Sequence, residues 1–406
     1  MGRSDINVSD VVRFRSIFGL SNNPPQVVYN GANPGVLGNG EVDEATLDVT
    51  WAGAVAPNAT VKLVVSASTR ASDGVDLSEA YIIDHNVADI MSESFGSCEK
   101  PSYLGAQASL ISSLAAQAAA QGITYVVSAG DSGSAGCDDA SQALATHGVS
   151  VNALASTPYN IAVGGTQFNE GAGSYWPLGA AASYIPEKVW NESCTPGACT
   201  SPALWAGGGG ASILVTKPPW QAGVAGIPQD DHRYVPDVSL TAAGHDPYAL
   251  CLSCTAPNNL SYYGGTSAST ASFAGIMALV VQKAGSRQGQ ANVTLYRLAA
   301  QQQPSQCASA LGASRASNCI FNDITAGNNA VPGEVGYGTG TAAYQATSGY
   351  DLASGLGSVD VANLVNGWSS AFGANPQIRF SVDAPLSAPV AGITNASGWA
   401  LSDTTA

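Results

Sequence analysis

The chain has 406 residues, with 14 Lys and Arg against 29 Asp and Glu, a formal net charge of −15 and a pI near 4.4. So acidic a chain with so few cations offers no electrostatic footprint for nucleic acid or for an anionic membrane surface, and no apolar run approaches the roughly 18 residues of a membrane helix. Its 45% hydrophobic content excludes a disordered tail and permits a large core, as one big α/β domain or two ordinary ones.

In chain order, residues 8–20 carry a helical pattern and 26–30 a strand. Residues 42–55 repeat with helical period behind an acidic start, followed by a buried strand at 61–66 and a helix over about 74–86. A strand at 88–92, an Ala-rich helix at 103–121 closed by Gly122, and a core strand at 123–128 come next. Apolar strands alternating with helices predict an α/β fold: a mostly parallel central sheet with helices on both faces. From about 160 to 262 the pattern breaks into short strands, Gly clusters and Pro, before a long helix at 267–284. Residues 369–406 turn to Pro, Ser and short β-like runs, a linker and the start of an incomplete β module after a domain over 1–368.

Two compositional features bear on the surroundings in which the chain works. Only 11% of residues are charged, so once carboxylates protonate below about pH 4 few positive charges remain to repel one another. Compositional drift in a secreted protein explains the same number. The eight cysteines, Cys98, Cys137, Cys194, Cys199, Cys251, Cys254, Cys307 and Cys319, include three close pairs, 194/199, 251/254 and 307/319, which leave Cys98 for Cys137. An even count so spaced predicts disulfides in an oxidising compartment. The C-x-x-C at 251–254 has zinc-ligand spacing, but no His follows at finger distance. Secretion then requires a leader that lies upstream or has been removed.

Three segments carry chemistry. G-G-T-S-A-S at 264–269 opens the long helix and sets Ser267 at its N-terminus, where backbone N–H groups stabilise a developing oxyanion; an ordinary N-cap serine is the plainer account. S-A-G-D-S-G-S at 128–134 puts Asp131 at the carboxyl end of a parallel strand, the edge where open α/β sheets place ligands; a turn-stabilising Asp fits equally. E-A-T-L-D at 44–48 projects Glu44 and Asp48 from one helical face, where like charges raise one pKa; a solvated acidic face, shared with Asp43, is the rival. The four histidines, at 85, 147, 232 and 245, share no recognisable catalytic motif. A carboxylate replaces imidazole as base only where the medium is acidic.

The three segments in this order resemble the sedolisin (serine-carboxyl peptidase) family, especially its kumamolisin-like members. L-D-V-T-W-A-G-A-V-A-P-N-A at 47–59, S-E-S-F-G at 92–96, V-G-G-T at 163–166, P-W-Q at 219–221 and V-P-D-V-S at 235–239 extend the likeness over about 8–368. The resemblance implies a subtilisin-like fold, a serine nucleophile at Ser267, a general base at Glu44, an orienting acid at Asp48 and an oxyanion-hole acid at Asp131. It implies a substrate cleft at Ser94, Gly96 and Asn152, protein or peptide substrates and secretion as a zymogen with its own prosegment. Both endopeptidases and tripeptide-releasing exopeptidases occur in the family. It further implies one calcium ion, held by the Asp323 and Asp351 carboxylates with the carbonyls of Ile324, Thr347 and Gly349, although Thr347 stands where Gly is usual. Oxygen-only donors suit that hard cation.

The pattern departs from the family at three further points. Family domains open with a strand before the first helix, usually behind a cleavable prosegment, whereas this sequence starts at the helix. Phe95 stands where kumamolisin-like members carry Trp, and Asn152 aligns near an Asp that lines the primary specificity pocket of some relatives, which argues against a preference for basic residues here. Two alternatives remain beside the peptidase: an inactive or truncated scaffold with a binding role, and a His-dependent hydrolase, against which the absent G-H-G-T and G-x-S-x-G motifs count.

Overall fold

The computed structural model describes residues 1–104, 107–177, 180–195, 197–198, 203–339, 344–372, 378–384 and 397–402. The first half alternates α1 (Val8–Ile17), β1 (Gln26–Tyr29), α2 (Glu41–Val55), β2 (Lys62–Val65), α3 (Gly74–Asp84), β3 (Ile90–Glu93), α4 (Pro101–Leu104), α5 (Gln107–Ala120) and β4 (Thr124–Ser128). The middle is strand-rich: β5 (Ile161–Phe168), β6 (Glu187–Val189), β7 (Gly210–Thr216), β8 (His232–Val235), β9 (Val238–Thr241), β10 (Tyr248–Leu250) and β11 (Ser261–Tyr263). Then come α6 (Thr266–Ala284), α7 (Asn292–Ala300), β12 (Phe321–Asn322), β13 (Ser358–Val359), α8 (Val361–Gly367), and an antiparallel pair of β14 (Ile378–Ala384) and β15 (Ser397–Ser402). Most of the tail segment 369–406 lies outside the described residues.

The central sheet runs β3–β4–β5–β9 with every neighbour parallel, and β6 adds antiparallel to the end of β5. Side chains alternate across it as a two-residue period demands. Val126, Ile161, Val163 and Val238 pack beneath α6 through Phe273, Ile276 and Met277, whereas Met91, Tyr125 and Val127 meet α3 and α5 through Ile83, Ala115 and Ala118. Both faces are covered, in agreement with the pattern of the sequence.

The sheet is split between β2 and β3. β1 and β2 form a separate parallel pair, not joined to β3. Between β2 and β3 lies a cavity of about 580 Å³, lined by Leu63, Val64, Met91, Ser92, Ala274 and Asp48 among others. The first residues enter its end: Gly2 bridges Val65 in parallel, and the Met1 ammonium donates to the Ser92 carbonyl at 3.1 Å. The two halves stay together through helices. α2 lies along α6, and a Cβ at Gly275 would come within 2.8 Å of the Ala52 carbonyl, so glycine permits the close approach.

Several of the shared segments are braces. Buried Arg233 pairs with Asp237 at 2.6 Å, and Asp237 also accepts from the Tyr296 hydroxyl and the Ala162 amide, both at 2.8 Å. Gln221 of the P-W-Q segment donates to the Tyr234 carbonyl and accepts from the Tyr234 amide. Disulfides join Cys98 to Cys137, Cys251 to Cys254 and Cys307 to Cys319, as the spacing predicts, which removes the zinc reading of 251–254. The expected Cys194–Cys199 pair includes Cys199, which lies outside the described residues.

Candidate active site

Ser267 is the second residue of α6, and Glu44 and Asp48 lie one turn apart on α2. The packing of α2 on α6 brings these two helices together, and the Ser267 hydroxyl lies near enough to Glu44 to favour its charged form. Burial outweighs that effect. The Glu44 carboxyl is pushed well above its ordinary value by enclosure, then by the Asp48 charge, and its Oε1 is shut from solvent without a partner. Asp48 is raised to about 6, again mainly by burial, opposed by the Met1 ammonium and by Ser94. Ser94 Oγ donates to Asp48 Oδ1 at 2.6 Å, while Asp48 Oδ2 is buried without a partner. Two such carboxyls share protons rather than ionise independently. Asp43, the neighbour in sequence, accepts from the Tyr263 hydroxyl at 2.8 Å.

Asp131 follows β4 and faces the start of α6. Its Oδ1 accepts from the Thr266 amide and hydroxyl, each at 2.8 Å, and a Cβ at Gly265 would come within 2.7 Å of its Oδ2. Gly265 has φ +119°, a conformation that side chains avoid, so glycine serves both geometry and space here. Enclosure raises the Asp131 carboxyl, and the two bonds from Thr266 only partly offset it. A raised carboxyl retains its proton in acid and can donate to an oxyanion.

A cavity of about 440 Å³ is lined by Ser94, Gly96, Asp131, Asn152, Thr266 and Ser267, so all three expected cleft residues and two of the four catalytic candidates share one wall. Asn152 is buried, with its amide engaged at both ends: Nδ2 donates to the Phe95 and Ser128 carbonyls at 3.0 and 2.8 Å, and Oδ1 accepts from the Ser97 amide at 2.9 Å. It shapes the wall and offers no open charge. No His is among the described residues that line this cavity.

Sequence reasoning did not reach Thr266 as the partner of Asp131, nor Ser94 as the partner of Asp48. A hydroxyl beside a motif carries no signal of its own. It also passed over Glu79 and Glu93, two buried acids on α3 and β3 linked to the Tyr125 hydroxyl.

Asp323 and Asp351 lie on adjacent loops. Asp323 accepts from the Gly349 amide at 3.0 Å and Asp351 from the Ser354 amide at 2.8 Å. Burial raises them to about 6 and about 7, and no cationic side chain opposes this. The carbonyls of Ile324, Thr347 and Gly349 accept no hydrogen bond among the described residues. Uncompensated buried carboxylates beside open carbonyls fit a hard divalent cation. Thr347 lies outside the left-handed region, so the departure from Gly costs no backbone strain. Among the described residues no three His, Cys, Asp or Glu side chains cluster as a metal site, so such an ion relies on the carbonyls.

This fold, with a serine opening the helix that runs under a parallel sheet, is that of a serine-peptidase class. The chain belongs to the subtilase family, whose family model matches residues 27–338, and within it to the sedolisins. It is 30% identical to sedolisin of Pseudomonas sp. (strain 101) over 88% of this chain and 54% of that one. It is 31% identical to kumamolisin of Bacillus sp. (strain MN-32), over 82% of this chain and 53% of that one. The solved Pseudomonas sedolisin, a serine-carboxyl proteinase complexed with two molecules of pseudo-iodotyrostatin, superposes with a TM-score of 0.70 at 28% identity, covering 91% of this chain and 92% of that one. The chain thus spans about half the length of the curated relatives it matches. No helix among the described residues is long and apolar enough to cross a membrane.

Proposed function

We propose that the protein is a secreted, acid-active serine-carboxyl peptidase. Ser267 Oγ attacks the scissile carbonyl while Glu44 takes its proton, and Asp48 orients Glu44 and shares a proton with it. Protonated Asp131 donates to the tetrahedral oxyanion. Glu44 then returns its proton to the leaving amine, and water, activated by the same carboxylate, releases the acyl group. The observation that carries this reading is the placement of Ser267 beside Glu44, whose charged form its hydroxyl favours, with Asp131 held on the neighbouring Thr266 and lining the same cavity as Ser267. Hydrolysis of a protein substrate is expected to peak in acid, below about pH 5, the side that the raised Asp131 carboxyl favours, and to vanish in Ser267→Ala. A neutral optimum, or activity that survives Ser267→Ala, removes the reading. The inactive-scaffold alternative draws on the gap between β2 and β3, and Ser267-dependent hydrolysis excludes it.

In the same reading Asp323, Asp351 and the carbonyls of Ile324, Thr347 and Gly349 hold one calcium ion, which supplies the counter-charge that the two carboxylates lack. Chelation is expected to lower the unfolding temperature by several degrees while leaving kcat at saturating calcium unchanged. An unfolding temperature that ignores both chelator and added calcium rejects the site.

A further inference from the structure

Behind the cleft wall lies a second cavity, of about 230 Å³, whose lining includes Glu79, Glu93, Asp76, Phe95, Leu110 and Leu114. Phe95, Gly96 and Ser97 line both cavities, so one short segment separates them. The amide and carbonyl of Gly96 make no hydrogen bond among the described residues, which leaves both for an extended peptide lying in the cleft.

The pocket has apolar sides and an acidic base. Val75, Ile111 and Leu154 complete its walls, while Glu79 is 3% and Glu93 1% exposed. Glu93 Oε2 accepts from the Tyr125 hydroxyl, but Glu79 Oε1 is buried with no hydrogen-bond partner. Neither glutamate makes an ion pair among the described residues. The guanidinium of Arg3 stays at the rim, held by Glu41 at 2.8 Å and by Asp73, and rests over the Phe95 ring at 5.2 Å. An unpaired buried carboxyl oxygen at the end of an apolar channel lacks a donor. A long cationic side chain supplies one, its methylene stem against the walls and its charged head at the acids.

We propose that this pocket is an accessory subsite that receives a lysine or arginine side chain of the bound peptide and selects it through Glu79 and Glu93. The inference rests on the peptidase reading and adds a substrate class to it. Burial raises both acids, helped at Glu79 by the Glu93 charge and at both by Asp76, and opposed by Tyr125 and, at Glu93, by the Met1 ammonium, so an arriving cation provides the charge that lets the pair ionise. The choice is made away from Asn152, so the absence of an acid at that position does not bear on it.

The test walks one residue, lysine or its uncharged near-isostere norleucine, along an otherwise neutral peptide. At one position lysine is expected to raise kcat/KM about 10-fold or more over norleucine, mainly through KM. Glu79→Gln is expected to reduce that ratio to near one, and Glu93→Gln to lower it. If the ratio stays unchanged in both variants, or no position favours lysine, while hydrolysis still depends on Ser267, the pocket inference falls and the peptidase reading stands. If no peptide is cleaved, the peptidase reading falls. Calorimetric titration of the lysine peptide into Ser267→Ala, with and without Glu79→Gln, then decides the pocket by itself: tighter binding that needs Glu79 keeps it, and equal binding ends it. Thermal midpoints of every variant identify one that fails to fold, and the remaining glutamate variant then carries the comparison.

Discussion

Glu44→Gln lowers kcat for peptide hydrolysis by about 10³-fold, with a far smaller change in KM. The amide keeps the shape of the carboxyl and its place on α2, but it cannot take the Ser267 proton, and general-base catalysis is worth roughly 10² to 10⁴. Asp48→Asn is expected to cost less, about 10 to 10², because Asp48 acts through Glu44. It should also move the acid limb of the pH profile, since the Asp48 charge is the second largest cause that raises Glu44. Steady-state kinetics across pH for the two variants check this, and near-normal kcat in Glu44→Gln would overturn the assigned role.

The protein is expected to be more stable in acid than at neutrality. Burial raises Glu44, Asp48, Glu79 and Glu93, with Asp48 going from an ordinary 3.8 to about 6 and Glu93 from 4.5 to about 7. The native state therefore binds protons that the unfolded chain has already released, so unfolding free energy falls as pH rises. The contribution is fully present below the unfolded values, near pH 4, and is lost as pH climbs through about 6 to 7. A two-unit shift is worth about 3 kcal/mol, so Asp48 and Glu93 together are worth on the order of 6 kcal/mol. At constant calcium the unfolding temperature should drop by several degrees between pH 4 and pH 7.5, and Glu93→Gln should flatten that slope. A midpoint that rises with pH contradicts the prediction. The sparse surface charge works in the same direction, since little repulsion builds up in acid.

The βα order of the first 128 residues was legible because buried parallel strands and amphipathic helices differ in period, and the structure follows it to within a few residues. Ser267, Glu44, Asp48 and Asp131 were legible as candidates because each sits in a motif with its own spacing. Their partners were not, since Ser94 reaches Asp48 across 46 residues and Thr266 reaches Asp131 across 135. Such pairs exist only once α2 comes to the end of β3, which Ser94 follows, and α6 to the end of β4, ahead of Asp131. Glu79, Glu93 and Tyr125 likewise come from three elements and look like ordinary helix and strand residues until folding buries them. Between 160 and 262 the Gly and Pro content obscured strand ends, and the antiparallel β6 at the edge of a parallel sheet has no signature in so short a run.

The gap between β2 and β3 has a consequence for how the catalytic parts align. Glu44 and Asp48 ride on the helix that packs with β1 and β2, whereas Asp131 and Ser267 are anchored to the sheet beyond the break. The acids and the nucleophile therefore meet only through the contact of α2 with α6, where Gly275 lets the two helices close, so a bulkier residue at that crossing would displace Glu44 from the hydroxyl it serves.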